Sequence, residues 1–324
     1  MDREMLAFRA AVMDEIRSFF KERSYLEVDT PLLAPALIPE SSIEIFQTRY
    51  EDEKGDSTWM NLIPSPEIWM KVLLARGAGS MFQICKCFRN SEPAGGIHNP
   101  EFTMLEYYTV DADYMDSISL TEELFSRLAG MNGPGYASPP FVKMSMEEAF
   151  LQYAGFELGN HLEAGALAAK ARQLTGAGTE EDSWEELYNR IFVTLVEPCL
   201  PVDRPVLLYD YPAAVPTLAK EKTGTPWAER WELYSRGVEL ANCFTEETNR
   251  EKVMQFFKTE MKERERKGMP LASDPAYTAI FSREFPRCSG VALGVDRLIM
   301  LLAGKKEIEQ VIPFPFLNTR QPPL

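Results

Sequence analysis

The chain has 324 residues, 45% of them hydrophobic, and carries a formal charge of −15 with a pI near 4.8. That length allows one large domain or two small ones, and no apolar run approaches the roughly 18 residues that a bilayer-crossing helix needs. Without a Lys/Arg-rich tract, so acidic a chain is a poor candidate for gripping a long nucleic acid, because such binding depends on cations that neutralise phosphates; it suits a cationic small molecule or partner, or a well-solvated surface. The opening stretch, MDREMLAFRAAVMDEIRSFF, contains acids and no small-residue cleavage site, so it reads as neither a secretory signal nor a transit peptide, and the expected location is cytoplasmic. Cys85, Cys87, Cys199, Cys243 and Cys288 are scattered without a C-x-x-C and read as ordinary thiols.

In chain order, Phe8, Val12, Ile16, Phe19 and Phe20 recur at steps of three and four and predict an amphipathic helix. YLEVDT reads as a short strand that stops at Pro31, which has no N–H to donate to a ladder. Ser65-Pro66-Glu67 is helix-start chemistry: a cap, a proline at the first position and an acid at the positive end. MFQICKCFRN and PEFTMLEYYTV alternate on either side of Gly95-Gly96 and predict a β-hairpin over 81–110 with a long loop. SMEEAFLQYAG, with Ser145 and Glu148 in capping-box spacing, and WEELYNRIFVTL, with Trp184, Leu187, Tyr188, Ile191 and Leu195 on one face, predict packing helices. ERWELYSRGVELANCFTE predicts a second hairpin turning at Arg236-Gly237, followed by a charged helix through Met261. CSGVALGVDRLIMLLAG reads as an apolar strand that becomes a helix near Val295-Asp296. Hairpins flanked by helices, with no repeats, predict an α+β fold built on an antiparallel sheet.

Several of these residues are placed oddly for structure alone. Glu106 shares a strand face with Phe102, Met104 and Tyr108, and a carboxylate in that company needs an internal salt bridge or a ligand ammonium. Glu232 and Glu239 lie on opposite arms of the second hairpin, where two acids facing each other need a cation between them unless both are solvated. Mg²⁺ on phosphate oxygens is one such cation. Arg89 in FRN and Arg297 in VDRLIM sit in apolar contexts suited to phosphate or carboxylate recognition, or to an internal ion pair. With His161 the only other histidine, His98 has no sign of a catalytic dyad.

Taken together, the helix–strand–proline start (about 5–33), FRN…HNPEFTMLEYY (about 81–110) and GVALGVDRL (about 288–303) resemble motifs 1, 2 and 3 of class II aminoacyl-tRNA synthetases. SPE, HNPEFTMLE and GVELAN…E resemble the lysyl branch in particular, and the resemblance covers nearly all of 1–324 as one catalytic domain. Motif 1 begins near residue 5, without the anticodon-binding barrel of the tRNA-charging enzymes, and Ala292 stands where those enzymes have glycine. The chain is therefore most similar to the truncated lysyl paralogues, which attach (R)-β-lysine to a lysine of elongation factor P, with no tRNA charging expected. The resemblance implies ATP and Mg²⁺ as cofactors and a homodimer built on motif 1. It places ATP on Arg89, Asn90, Ser91, Glu92, His98, Asn99, Phe102, Glu239, Leu240, Gly294 and Arg297, with Arg89 at the α-phosphate and Arg297 at the γ-phosphate. It assigns Mg²⁺ to Glu232 and Glu239, the side-chain ammonium to Glu106, Tyr108 and Glu246, and the other amine to Ser65, Pro66 and Glu67, with Ala292 shaping the pocket. Two other readings are activation of α-lysine or another amino acid for a different acceptor, and a non-catalytic regulatory paralogue.

Three positions depart from the family pattern. Ser91 stands where motif 2 usually has glutamate, with Glu92 next, so either a bulge returns Glu92 to the site or Ser91 does a weaker version of its work. Cys243 replaces a glycine, and Ile97 replaces a polar or aromatic loop residue.

Overall fold

Asp2 accepts a hydrogen bond from the Met5 N–H and caps α1 (Arg3–Glu22), whose Val12, Ile16, Phe19 and Phe20 form the buried stripe that the spacing predicts. The structure, a computed structural model, describes residues 1–131, 133–179, 181–281 and 284–319, so the last five residues of the expected domain, 320–324, lie outside it. The strand expected over YLEVDT shrinks to β1 (Leu26–Glu27). β2 (Leu33–Ala34), β3 (Gln47–Glu51) and β4 (Ser57–Leu62) then form a separate three-stranded sheet in the order β2-β4-β3, which the hydrophobic pattern does not reveal because β3 is exposed throughout. α2 (Glu67–Ala75) precedes the first hairpin, β5 (Met81–Phe88) and β6 (Glu101–Val110), and α3 (Tyr114–Ala129) follows it.

The middle of the chain supplies β7 (Val142–Ser145), α4 (Met146–Ala149), α5 (Ala164–Thr175), α6 (Trp184–Ile191) and β8 (Val206–Pro212). Ser145 and Glu148 make the expected reciprocal capping box at α4, and Ser183 with Glu186 makes another at α6. The second hairpin is β9 (Trp227–Ser235) and β10 (Val238–Thr245); α7 (Arg250–Arg266), β11 (Cys288–Gly294) and α8 (Val295–Leu302) complete the main body. No helix among the described residues is long and apolar enough to cross a membrane.

Eight strands form the main sheet in the order β1-β5-β6-β11-β10-β9-β8-β7, antiparallel except at its two ends, where β1 runs parallel to β5 and β7 to β8. This is the expected α+β architecture. One face is apolar: Phe82, Leu105, Tyr107, Trp231, Leu233, Val291 and Leu293 pack with α1, α3 and α8, and Phe20 stacks on Phe82 at 5.0 Å. The opposite face carries a polar row, since Gln83, Glu106, Ala292, Asn242 and Glu232 are successive cross-strand partners over five strands. Two further clusters flank that row. Met70, Leu74, Tyr108, Phe257 and Phe281 join α2 and α7 over the β5–β6 end, while Phe150, Leu187, Tyr188, Leu208 and Tyr211 join α4, α5 and α6 over the β8 end. A cleft remains between them.

Candidate active site

The cleft holds a cavity of about 620 Å³. Of the residues singled out from sequence, Arg89, Glu92, His98, Asn99, Phe102, Glu232, Glu239, Leu240, Ala292, Gly294 and Arg297 line it. Ser65, Pro66, Glu67, Glu106, Tyr108 and Glu246 are not on its wall but form a cluster behind Met104, Ala292 and Phe244, which are. Asn90 and Ser91 turn away. Asn90 forms an isolated bridge with Glu44 and accepts from the Ser91 N–H at 2.9 Å, while Ser91 is exposed in the left-handed region at φ 57°. Beyond that turn Glu92 lines the cavity, 3.6 Å from the Arg89 guanidinium.

Both arginines point their charge at the cavity. Arg297 Nε donates to Ile97 O at 3.2 Å and Nη1 to Glu239 O at 2.9 Å, so backbone carbonyls fix the fork without neutralising it. Asp296, next to Arg297 in the chain, is engaged elsewhere: it pairs with Arg9 at 2.5 Å and accepts from the Thr103 N–H at 2.6 Å. Arg89 lies 5.4 Å from the Phe102 ring centroid, and its buried Nε has no hydrogen-bond partner among the described residues. His98 is held below the ordinary histidine range by burial and by the neighbouring Arg297 and Arg89 charges, so it faces the cavity neutral. The Asn99 side chain serves the local fold, donating to Glu101 O at 2.5 Å and accepting from the Phe316 N–H at 2.9 Å.

Glu232 and Glu239 are not cross-strand partners, contrary to expectation. Glu232 lies opposite Asn242 and Glu239 opposite Tyr234, because a bulge at Leu240 shifts the register of β10 against β9. The extra residue returns Glu239 to the face that Glu232 occupies, one row along. Burial, with Glu232 close by, pushes the Glu239 carboxyl up to about 7, which marks a place that favours added positive charge. Glu232 is not an unpaired charge, since Oε1 takes Arg230 and Oε2 takes the Tyr211 and Tyr234 hydroxyls at 2.7 and 2.5 Å. A carboxylate offers about four lone-pair positions, so three donors leave it one more, and the pair fits an ion held by one or two carboxylates together with phosphate oxygens.

The buried cluster is where sequence reasoning was least complete. Glu106 accepts from Ser65 Oγ at 2.5 Å and Tyr108 OH at 2.8 Å, and burial together with Glu67 raises its carboxyl to about 8. Ser65 also accepts from the Glu67 N–H at 3.1 Å, and Pro66 occupies the cap position of α2, not its first turn. Glu246 is 1% exposed; burial raises it to about 8, and its Oε1 has no hydrogen-bond partner among the described residues. The internal counterion is Lys71, wholly buried on α2, whose Nζ is 2.5 Å from Glu67 Oε1 and 2.6 Å from Glu246 Oε2. Burial opposes its charge, but Glu246 and Glu67 outweigh that and push its pKa above the ordinary lysine range. A lysine on an apolar helix face four residues after Glu67 was the available signal.

Gly290 was also missed. A Cβ there would come within 2.7 Å of both Glu246 Oε1 and the Tyr108 ring, so only glycine lets those two side chains meet over β11. Gly290→Ala is expected to cost about 1–3 kcal/mol of stability by forcing Tyr108 and Glu246 apart, which denaturant unfolding reads. Cys243, by contrast, faces the core, its Sγ 3.0 Å from Ser117 Oγ, so the thiol is housed against α3 and does not touch the cavity. The helices expected only to pack also wall the cavity through Glu185, Tyr188 and Asn189 of α6.

Arginine forks, a carboxylate pair and a buried acidic cluster on one antiparallel sheet define a site of the class II synthetase kind. The family model for tRNA synthetases class II (D, K and N) matches residues 2–318, and the chain belongs to that family. It is 38% identical over 313 residues to the elongation factor P–(R)-beta-lysine ligase of Mannheimia succiniciproducens, covering 96% of this chain and 94% of that protein. Ligases of the same name from Yersinia enterocolitica and Yersinia pestis are 37% and 36% identical over 312 residues, covering 95% of this chain and 93% of theirs.

Proposed function

We propose that the chain activates (R)-β-lysine with ATP and joins it, as an amide, to a lysine of elongation factor P. The observation that carries this reading is the trio of the half-buried Glu67 and the buried Glu106 and Glu246 behind a cavity lined by Arg89 and Arg297: anionic points for an amine-bearing substrate lie beside cationic points for phosphates. The substrate carboxylate attacks the α-phosphorus of ATP, pyrophosphate leaves, and the acceptor amine then attacks the acyl carbonyl, expelling AMP and losing a proton. Arg89 meets the charge that develops at the α-phosphate, Arg297 holds the γ-phosphate, and Phe102 stacks on adenine. Glu239 and Glu232 would hold Mg²⁺, which would supply charge neutralisation on the phosphate oxygens. No side chain forms a bond to substrate; positioning and fixed charge do the work.

The identity to ligases of that name along nearly their whole length supports the substrate and the acceptor. A homodimer is proposed as well, supported by exposed apolar side chains within motif 1: Leu6, Leu26, Leu32 and Leu33. A cytoplasmic location belongs to the same proposal, supported by the choice of a translation factor as acceptor.

The test is pyrophosphate release with (R)-β-lysine, α-lysine and aspartate offered separately. A marked preference for (R)-β-lysine is expected, and equal or absent release with all three would overturn the reading. A pH dependence follows. Empty Glu106 and Glu246 are protonated below about 8, facing Glu67, Lys71, Tyr108 and Tyr277. Ammonium groups bind the ionised forms, so binding releases protons and the KM for (R)-β-lysine should fall as pH rises from about 6 to about 8. A KM that is flat or rises over that window contradicts the assignment.

A further inference from the structure

Lys71 has no part in the reaction as described, yet it occupies the centre of the amine cluster. Its ammonium lies between Glu67 Oε1 and Glu246 Oε2, and the Phe244 and Phe281 ring centroids are 5.3 and 6.0 Å away. Wholly buried between two carboxylates and two rings, it is a fixed charge of the fold. The titratable groups acting on it are Glu67, Glu246, Glu106, Glu40, Tyr277 and Cys288, of which Glu40 also lines the cavity; among the described residues the buried Tyr277 hydroxyl and Glu246 Oε1 have no hydrogen-bond partner. With Glu40 set against Arg89 at the cavity wall, three described carboxylates, Glu67, Glu106 and Glu246, remain against one ammonium and leave two negative charges when all are ionised.

We propose that Lys71 is a specificity-determining positioning residue: by cancelling one of three carboxylate charges, it sets the pocket to accept a substrate with two ammonium groups. This rests on the reading of the site given above and adds the reason for the number of charges. Without Lys71, three carboxylates would face two ammoniums, and one would stay protonated or repel its neighbours. With Lys71 but without one carboxylate, two ammoniums would face a single net negative charge. In either case burial makes the mismatch costly, because an unmatched charge cannot be relieved by water. Lys71 also holds one oxygen each of Glu67 and Glu246, which leaves the unpartnered Glu246 Oε1 for a ligand donor.

Charge balance makes a prediction that packing does not. In ATP–pyrophosphate exchange with (R)-β-lysine, Lys71→Met in the wild-type background should lower kcat/KM about a hundredfold, mainly through KM. Glu67→Gln alone should also lower it. Adding Lys71→Met to Glu67→Gln should raise kcat/KM about tenfold over Glu67→Gln, because the pair restores two net negative charges; the sign of the Lys71 effect reverses between backgrounds. The double variant buries no unmatched lysine, so this comparison stands even where Lys71→Met alone fails to fold, which thermal melting reports. A Lys71→Met effect that lowers kcat/KM in both backgrounds would overturn the proposal and leave Lys71 a structural residue. Absence of exchange by the wild-type protein would count against the reading of the site itself, and with it the assignment of Lys71.

Discussion

Arg297→Ala is expected to slow adenylate formation by about three orders of magnitude while leaving the KM for the amino acid nearly unchanged, as for other arginines that stabilise a transferring phosphoryl group. The reason is the way its charge is held. Its bonds go to the Ile97 and Glu239 carbonyls, not to a carboxylate, and the guanidinium stays uncancelled at the wall of the cavity. Because two carbonyls fix a planar fork, Arg297→Lys should recover little of the loss, since a single ammonium cannot keep both bonds and also reach a phosphate. Single-turnover measurement of pyrophosphate release separates this effect from binding. Near-normal release by Arg297→Ala would place the γ-phosphate elsewhere.

Glu106→Gln carries the second large effect, and it divides activity from stability. Activity toward (R)-β-lysine should fall by about a thousandfold in kcat/KM, because a buried ammonium then meets an amide in place of a carboxylate. The empty protein should not suffer. The folded Glu106 carboxyl lies at about 8 against an ordinary 4.5, so the native state holds a proton that the unfolded state releases over that interval. Stability contributed by this group therefore declines as pH rises from 4.5 towards 8. Gln does not titrate, so the melting temperature of Glu106→Gln should gain on wild type as pH rises from about 6 to about 8. A variant that loses stability equally at both pH values would make Glu106 a structural residue whose Ser65 and Tyr108 bonds matter more than its charge.

Much of this site is legible in the sequence because its parts lie on regular elements. The period-two run of PEFTMLEYYTV places Glu106 on one face with Phe102 and Met104, and the structure adds that Ala292, Asn242 and Glu232 continue the same row across three more strands. What could not be read depends on irregular backbone or on partners distant in sequence. The Leu240 bulge changes which face Glu239 occupies, and nothing in VELAN distinguishes a bulge from a regular strand. Glu246 was expected to wait for a ligand ammonium, but its first neighbour is Lys71, 175 residues earlier, and only the packing of α2 over the sheet brings them together. Gly290 looked like one small residue in an apolar strand, and its necessity appears only when Tyr108 and Glu246 close over it. That Glu92 and not Ser91 lines the cavity depends likewise on a left-handed turn at Ser91 that the sequence does not announce.

The most direct test is the mass of the acceptor. Elongation factor P incubated with this protein, ATP, Mg²⁺ and (R)-β-lysine should gain one lysyl residue on a single lysine, and the gain should vanish with Glu106→Gln or Arg297→Ala. An unmodified elongation factor P, in a mixture where the same amino acid becomes attached to tRNA, would contradict the proposed function.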